Sequence, residues 1–529
     1  MNNKINDIII VGGGSAGWMT AATLIKVFPN KNITLIESAN APTVGVGEST
    51  LGSINNWLAL LEIDEKDFIP YTDASLKLSI RFKNFYLNDN TSFHYPFGQP
   101  DTRGSHAGTN DWLFKKFLKP DTPLSNYAES WYPGMALVKE NKYFDNEKGH
   151  LVNWDPKQDV AYHFDATKFG QWLKTHYCLP RGVKYIVADV TDTKVTNAGL
   201  EEIILDGQMS KKADLFIDCT GFKSLLLGGA LKEPFNSLED ILPNNSAVAT
   251  KVPYKNKQKQ LVPYTDCEAF ENGWIWKIPV WSRLGTGYVY SDKYISDEQA
   301  KIDFKRYLKS KGYKDKETKQ LDLKTIKMRT GLHERLWVKN VCAIGMSAGF
   351  IEPLESNGLF TVHEFLRKLV RILKRERVNR TDKDFFNYSC KKQFYSFAEF
   401  VALHYAFSHR TDTQYWRDIQ EKEFCAELTN LKTTNIIGIQ SAAHQKMEDF
   451  IWQNVYYGGL HCIATGMNNF ATDFESISAE LLETDIEFFR PGWKKAIKQF
   501  EDRNKLWKDV VDKEAKPLYT YLRERYHSE

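Results

Sequence analysis

The first strong pattern along the chain is an unbroken apolar run, Ile8-Ile9-Ile10-Val11, that ends at Gly12. An apolar-periodic segment follows Gly17, so the stretch predicts a buried strand, a tight turn and the start of a helix. Asn32 to Glu37 predicts a second strand. Residues 75 to 83 alternate strictly: Leu76, Leu78, Ile80 and Phe82 share one face, and Ser75, Lys77, Ser79, Arg81 and Lys83 share the other. On pattern alone Lys77 belongs to a solvated side of that strand. From 84 to 155 no period is sustained, which suits long functional loops or a small subdomain; Phe93 to Gly98 reads as an aromatic turn.

A helix is predicted over 166–178, with strands at 183–187 and 202–205. Ala213 to Phe222 and Val341 to Gly345 each contain a buried strand closing on a glycine turn, the first returning the chain to the sheet begun by Ile8–Val11. Gly273 to Pro279 places Trp274, Trp276 and Ile278 on one face of a strand that Pro279 ends, a face that suits core or cavity wall alike. After Gly358, Leu359, Val362, Leu366, Leu369, Val370 and Leu373 recur with helical period, opposite Arg367, Lys368, Arg371 and Lys374. Beyond 381 the periodicity is helical and scattered. The pattern describes an α/β protein assembled from separated stretches: a module over 1–380, interrupted by segments at about 70–155 and 235–325, and a mainly helical part over 381–529.

Composition narrows the function classes. With 529 residues the chain is expected to hold two or three structural units. Net charge is +3 from 70 basic and 67 acidic residues, with no basic arm or stripe, so no nucleic-acid partner is expected. Mean hydropathy is −0.46 and no apolar run reaches the ~18 residues a membrane span needs. The first strand begins too early to leave room for a signal peptide. The cysteines, 7 in all, are scattered and never form C-x-x-C, which points to free thiols, no zinc site and a cytoplasmic setting.

Candidate chemistry gathers at the glycines. Gly12, Gly14 and Gly17 follow the G-x-G-x-x-G order of a dinucleotide site: the first permits the turn, the second admits a pyrophosphate, the third lets helix pack on strand. Ser15 and Ala16 open the helix, whose unpaired N–H groups would face the phosphates. Glu37 ends the second strand where a ribose hydroxyl would bind. Gly45-Val46-Gly47-Glu48 is either a backbone strap passing close to a ligand or a surface turn. Ser356-Asn357-Gly358 sits at a predicted helix N-terminus, ready to bind an anion. A second G-x-G-x-x-G is absent, so nothing obvious binds a nicotinamide cofactor.

Taken together these residues resemble the flavin-dependent halogenases of the tryptophan halogenase family, over nearly the whole chain. Trp274-Ile275-Trp276-Lys277-Ile278-Pro279 matches the family's W-x-W-x-I-P signature. Gly45-Val46-Gly47-Glu48 matches the strap beside the flavin, Lys77 falls at the active-site lysine, and Glu352-Pro353-Leu354-Glu355-Ser356 matches the segment bearing the catalytic glutamate, Glu355. The resemblance implies a glutathione-reductase-like FAD-binding module with an added substrate region. It implies FAD contacts from Gly12, Gly14, Ser15, Ala16, Gly17, Glu37, Val46, Gly47, Glu48 and Gly345, and halide contacts from Asn357 and Gly358.

The implied chemistry uses FADH2 from a separate flavin reductase, O2 and chloride, bromide or iodide to make hypohalous acid, with no metal. Lys77 would polarise or carry the halogen, and Glu355 would deprotonate the ring of a small aromatic substrate. Phe97 and Trp452 would stack on that ring, and a homo-oligomer is compatible with the family. Of three departures from the family pattern, the first lies beside the halide site and the other two concern the substrate side. Asn357 replaces the family's usual Thr, Tyr95 stands where relatives often carry His, and Ile436-Ile437-Gly438 replaces a Tyr-Tyr-Gly that contacts the amino-acid end of tryptophan. An indole lacking that group, a phenol or another aromatic compound therefore fits as well as tryptophan, and an aromatic monooxygenase on the same scaffold is the rival reading.

Overall fold

The computed structural model describes residues 4–40, 47–103, 111–145, 151–375, 377–421, 457–468 and 486–527. The strand Asp7–Val11 is buried in the middle of a six-stranded sheet. On one side it pairs in parallel with Asn32–Glu37, which pairs in turn with Lys184–Val187. On the other it pairs in parallel with Leu215–Asp218, which pairs with Val341–Ala343, and Trp337–Val338 closes the edge. The separated apolar runs thus meet in one sheet, as their continuous hydrophobicity requires of strands covered on both faces.

The glycine loop sets how closely the helix Ser15–Val27 lies on this sheet. Gly17 has no room for a side chain: a Cβ would stand 1.8 Å from the Gly12 carbonyl oxygen. Gly12 itself holds φ +117°, with the Cys219 carbonyl 2.2 Å from where its Cβ would be. At Gly345 a Cβ would meet Ala16 at 2.8 Å, so the turn after Val341–Ala343 also closes on this helix.

A second, seven-stranded sheet carries the W-x-W-x-I-P strand Gly273–Pro279 between Tyr264–Phe270 and Leu284–Tyr290. It continues through Ser79–Lys83 to Ser92–Pro96. Trp274 and Trp276 are buried, and the Trp276 ring fills the space above Gly287, where a Cβ would lie 2.1 Å from it.

The alternation over 75–83 is two strands, not one. Ser75–Lys77 pairs with Ala161–Phe164 in a small sheet, while Ser79–Lys83 belongs to the large one. The switch falls at Leu78, whose N–H donates to Pro263 O at 2.7 Å and whose carbonyl accepts from Phe97 N–H at 2.9 Å. Phe93 to Pro96 lies in the strand Ser92–Pro96 rather than in a turn, and among the described residues of the stretch 84–155 are the short helices Asp111–Leu118, Asn126–Trp131 and Met135–Glu140. The helix expected over 166–178 is α-helical over Ala166–Trp172 and widens to π geometry over Leu173–Cys178.

C-terminal helices cover this frame: Arg380–Ala406, Gln414–Glu421, Tyr457–Gly466, Ile486–Glu514 and Leu518–Tyr526. The short strand Ala515–Pro517 pairs back onto Lys142–Phe144. Among the described residues no helix is long and apolar enough to cross a membrane. Of Gly14 and Gly17 only Gly17 is sterically locked, so Gly17→Ala should lower unfolding free energy by about 3 kcal/mol or more, whereas Gly14→Ala should change it by less than about 0.5 kcal/mol. Denaturant titration of both variants measures the difference.

Candidate active site

Lys77 is fully buried, at 0% exposure. Its partners come from Thr50, just after the strand Glu48–Ser49, from Ser356, between the 3-10 segment Pro353–Glu355 and the helix Gly358–Leu373, and from Phe97. Lys77 Nζ donates to Thr50 O at 2.8 Å and to Ser356 Oγ at 2.9 Å, and lies 5.0 Å from the Phe97 ring centre. The amine therefore rests against the residue directly after Glu355. Burial pushes the Lys77 pKa down to about 7, against the upward pull of Glu355, Cys267 and Glu48. The "solvated" face of the alternating strand is covered: Ser75, Lys77 and Ser79 are all buried.

Ser356 adopts φ +58°, an uncommon left-handed geometry for a residue with a side chain. That turn aims its hydroxyl into a buried chain of polar groups. Ser356 Oγ donates to Ser49 Oγ at 3.0 Å, Ser49 Oγ lies 2.7 Å from Thr265 Oγ1, and Thr265 Oγ1 lies 2.9 Å from His163 Nε2. Each hydroxyl has one hydrogen, so if Ser49 spends its own on Thr265, Thr265 donates to an unprotonated Nε2. His163 Nδ1 then keeps its hydrogen and faces Ser75 Oγ at 3.4 Å, while Ser75 donates to Pro279 O. Burial, with the Lys77 charge second, holds the His163 pKa well below its ordinary value, in keeping with a neutral ring.

Glu355 is 1% exposed and its Oε1 lies 2.8 Å from Nε2 of His404, itself 0% exposed. Three residues earlier, Glu352 accepts from Asn244 Nδ2 at 2.7 Å and from the Tyr405 hydroxyl, and burial pushes its pKa up to about 7. Asn357 stands at the helix N-cap position without a side-chain cap, its Nδ2 donating instead to Glu352 O at 3.2 Å. At Gly358 a Cβ would stand 3.3 Å from Glu48 Oε1, so the Glu48 carboxyl faces the same helix N-terminus. Removal from solvent pushes the Glu48 pKa up to about 7. Gly47 holds φ +108° and faces Ile278, which ties the strap to the W-x-W-x-I-P strand. Gly45 and Val46 lie outside the described residues, as do Trp452 and Ile436 to Gly438.

The aromatic corner beside Lys77 is built by Tyr95, Phe97 and Phe400, whose rings meet edge to face at 6.3 and 6.1 Å. Tyr95 also fills the space above Gly459 in the helix Tyr457–Gly466, where a Cβ would lie 2.7 Å from its ring. His94 takes no part in proton chemistry near neutrality, since burial holds its pKa at about 3. Sequence reasoning missed Ser49, Thr265, His163 and His404, and it placed Ser356 at a helix start without setting it against Lys77; none of these residues lies in a pattern that announces its partner.

A family profile for tryptophan halogenases matches residues 7–470. The chain belongs to that family. The 7-chloro-L-tryptophan 6-halogenase KtzR of Kutzneria sp. (strain 744) is 35% identical over 433 residues, 78% of this chain and 82% of its own. Among solved structures, apo VirX1 aligns over 98% of this chain and 99% of its own, with 36% identity and a TM-score of 0.86. Tar14, a tryptophan C-6 flavin-dependent halogenase (chlorinase) from taromycin biosynthesis, aligns over 98% and 99% with 30% identity and a TM-score of 0.83. The protein is thus an oxidoreductase, a flavin-dependent halogenase of aromatic substrates.

The residues present suit a flavin dinucleotide. The helix Ser15–Val27 has no side-chain cap and no acidic residue in its first turn, which leaves its N-terminal amides to an anionic group. Nothing lies within 4 Å of where a Gly14 Cβ would be, so backbone there is open to close approach. Glu37 reaches back over the loop, 2.3 Å from a Cβ at Gly13, and is held by the Tyr185 hydroxyl at 2.7 Å and Lys174 at 3.4 Å. Breaking the buried polar chain leaves unpaired groups on both sides. Thr265→Val should therefore cost about 1–3 kcal/mol of stability, read from the shift in denaturation midpoint at constant m-value.

Proposed function

We propose that the protein uses FADH2 from a separate reductase, O2 and halide to make hypohalous acid, and that Lys77 and Glu355 direct its halogen onto a small aromatic ring. The observation that carries this reading is the fully buried Lys77 ammonium held against the Glu355–Ser356 turn. Reduced FAD held along the glycine loop would activate O2, and O2 is the oxidant that converts halide to hypohalous acid. Halide is placed against the amides around Asn357 and Gly358.

Lys77 Nζ has two of its three hydrogens committed, to Thr50 O and Ser356 Oγ. The third is free to hydrogen-bond the hypohalous oxygen, which makes hydroxide a better leaving group in a site without bulk water. Attack by the ring leaves a cationic intermediate, and the Glu355 carboxylate stabilises it and takes its proton. Phe97, whose ring centre lies 5.0 Å from Lys77 Nζ, would stack on the ring; with Tyr95 filling the space beside Gly459, an indole or phenol without an amino-acid arm suits the corner.

The deciding experiment supplies a reductase, FAD and a panel of indoles and phenols with chloride, bromide or iodide, and reads product mass. Halogenated products are expected; oxygenated products alone would move the protein to a monooxygenase. Lys77→Ala should lose product formation at least about a thousandfold while flavin still binds. Retained turnover would remove Lys77 from the mechanism.

Halide affinity carries a second signature. Below about 7 Glu48 is neutral and Lys77 cationic; above it Glu48 becomes an anion facing Gly358 and Lys77 loses its charge. Both changes weaken halide binding as pH rises. In Glu48→Gln the repulsive part is gone, so bromide should bind about tenfold more tightly than to the native protein at pH 8.5, with little difference at pH 6. Isothermal titration at the two pH values measures this.

A further inference from the structure

His404 lies on the helix Arg380–Ala406, far along the chain from both proposed catalytic residues, and the halogenation chemistry above assigns it no task. Its ring is enclosed by Phe82, Phe400 and Phe85, with centroids 4.7, 5.5 and 6.4 Å away. His404 Nδ1 faces two backbone carbonyls, Phe400 O at 3.2 Å and Val401 O at 3.1 Å. A carbonyl oxygen only accepts, so Nδ1 carries a hydrogen. A neutral ring would then turn the bare lone pair of Nε2 onto Glu355 Oε1 at 2.8 Å. Without a hydrogen between them both atoms are buried and unsatisfied. Two lone pairs at that distance repel, and water is excluded by the aromatic enclosure, so neither group can turn to solvent.

We infer that His404 is a positioning residue for Glu355: one proton is shared between His404 Nε2 and Glu355 Oε1, fixing the carboxylate and leaving Oε2 to receive the proton from the substrate ring. The inference rests on the reading of Glu355 as the base. When the ring gives up its proton, the C–H bond breaks, its electron pair returns to the aromatic system, and an O–H bond forms at Oε2. The shared proton shifts toward Nε2, so the dyad holds two protons for that moment. The hydroxide released from hypohalous acid accepts a proton to become water, which restores the one-proton pair. Glu355 also feels Lys77, Cys267 and Cys462, and His404 feels Glu352, so the shared proton is set among buried groups.

A structural histidine filling the core would look different in two measurements. The first is nitrogen NMR on protein with 15N-labelled imidazoles, in the absence of flavin and substrate; the chain has 12 histidines, and His404 is identified by the signal lost in His404→Gln. In the native protein His404 should show hydrogen at Nδ1 and a shared proton at Nε2. In Glu355→Gln the amide donates to Nε2, and that nitrogen should move to the shift of an unprotonated acceptor. A native Nε2 that is already bare and does not respond to Glu355→Gln overturns the inference.

The second measurement is steady-state kinetics. His404→Phe keeps the shape without a donor and should lower kcat about ten- to hundredfold, with substrate KM and flavin binding within about twofold of native. His404→Gln, which can still donate to Oε1, should recover part of that loss. Full activity in His404→Phe would also sink the inference. If the native protein forms no halogenated product on any substrate, the reading of Glu355 fails instead, while the NMR result still decides whether the proton is shared.

Discussion

A fully buried lysine ammonium is the constraint around which this molecule is arranged. Transferring such a charge out of solvent is expensive unless its hydrogens find acceptors. Here Thr50 O and Ser356 Oγ accept two of them, and three carboxyl or thiol groups oppose the burial electrostatically. Those partners come from the strap, from the turn after Val341–Ala343 and from the W-x-W-x-I-P sheet, so the cation draws three remote parts of the chain to one point. The cost is visible in the depressed Lys77 pKa, and a group poised near neutrality is suited to giving and holding a hydrogen during turnover.

The frame that brings those parts together rests on close backbone packing. Gly12 and Gly17 let the first helix lie on the sheet without an intervening side chain, and Gly345 lets the distal turn close against the same helix. The turn therefore leaves the sheet at a fixed height, and the 3-10 segment Pro353–Glu355 delivers Glu355 and Ser356 under the strand Ser75–Lys77. Ile278 against Gly47 fixes the strap from the other side. The large sheet also keeps strong charges away from the site: Lys277 pairs with Asp266 at 2.6 Å, and Arg81 with the same carboxylate at 2.8 Å. Asp266 is held far below the usual carboxylate range by those two cations even though burial opposes it. A carboxylate that well paired has little field left to act on Lys77.

Buried ionisable groups are unusually dense here, and their arrangement is not uniform. Glu352 is satisfied by Asn244 and Tyr405, and His163 is satisfied by Thr265 and Ser75. Glu355 Oε1 and His404 Nε2 are satisfied by each other only with a proton between them. Where Glu352 and His163 have fixed donors or acceptors, that pair has a movable one. Residues that act on a proton are expected to differ from their neighbours in this way.

The sequence by itself determined the sheet, the glycine loop and the helix start at Gly358, because each is written in local rules: continuous apolar runs, glycine where a side chain cannot fit, and helical periodicity. It also carried the family, through the W-x-W-x-I-P strand and the glutamate segment. It could not tell that the polar side of residues 75–83 is buried, since alternation separates two faces without saying which meets water. That was decided by a turn whose serine lies 279 residues away from Lys77 in the chain. Nor could it join Ser49, Thr265, His163 and Ser356, or set His404 against Glu355. Hydroxyl and imidazole contacts of that kind depend on distances of a few tenths of an ångström, and only packing of the finished tertiary structure fixes them.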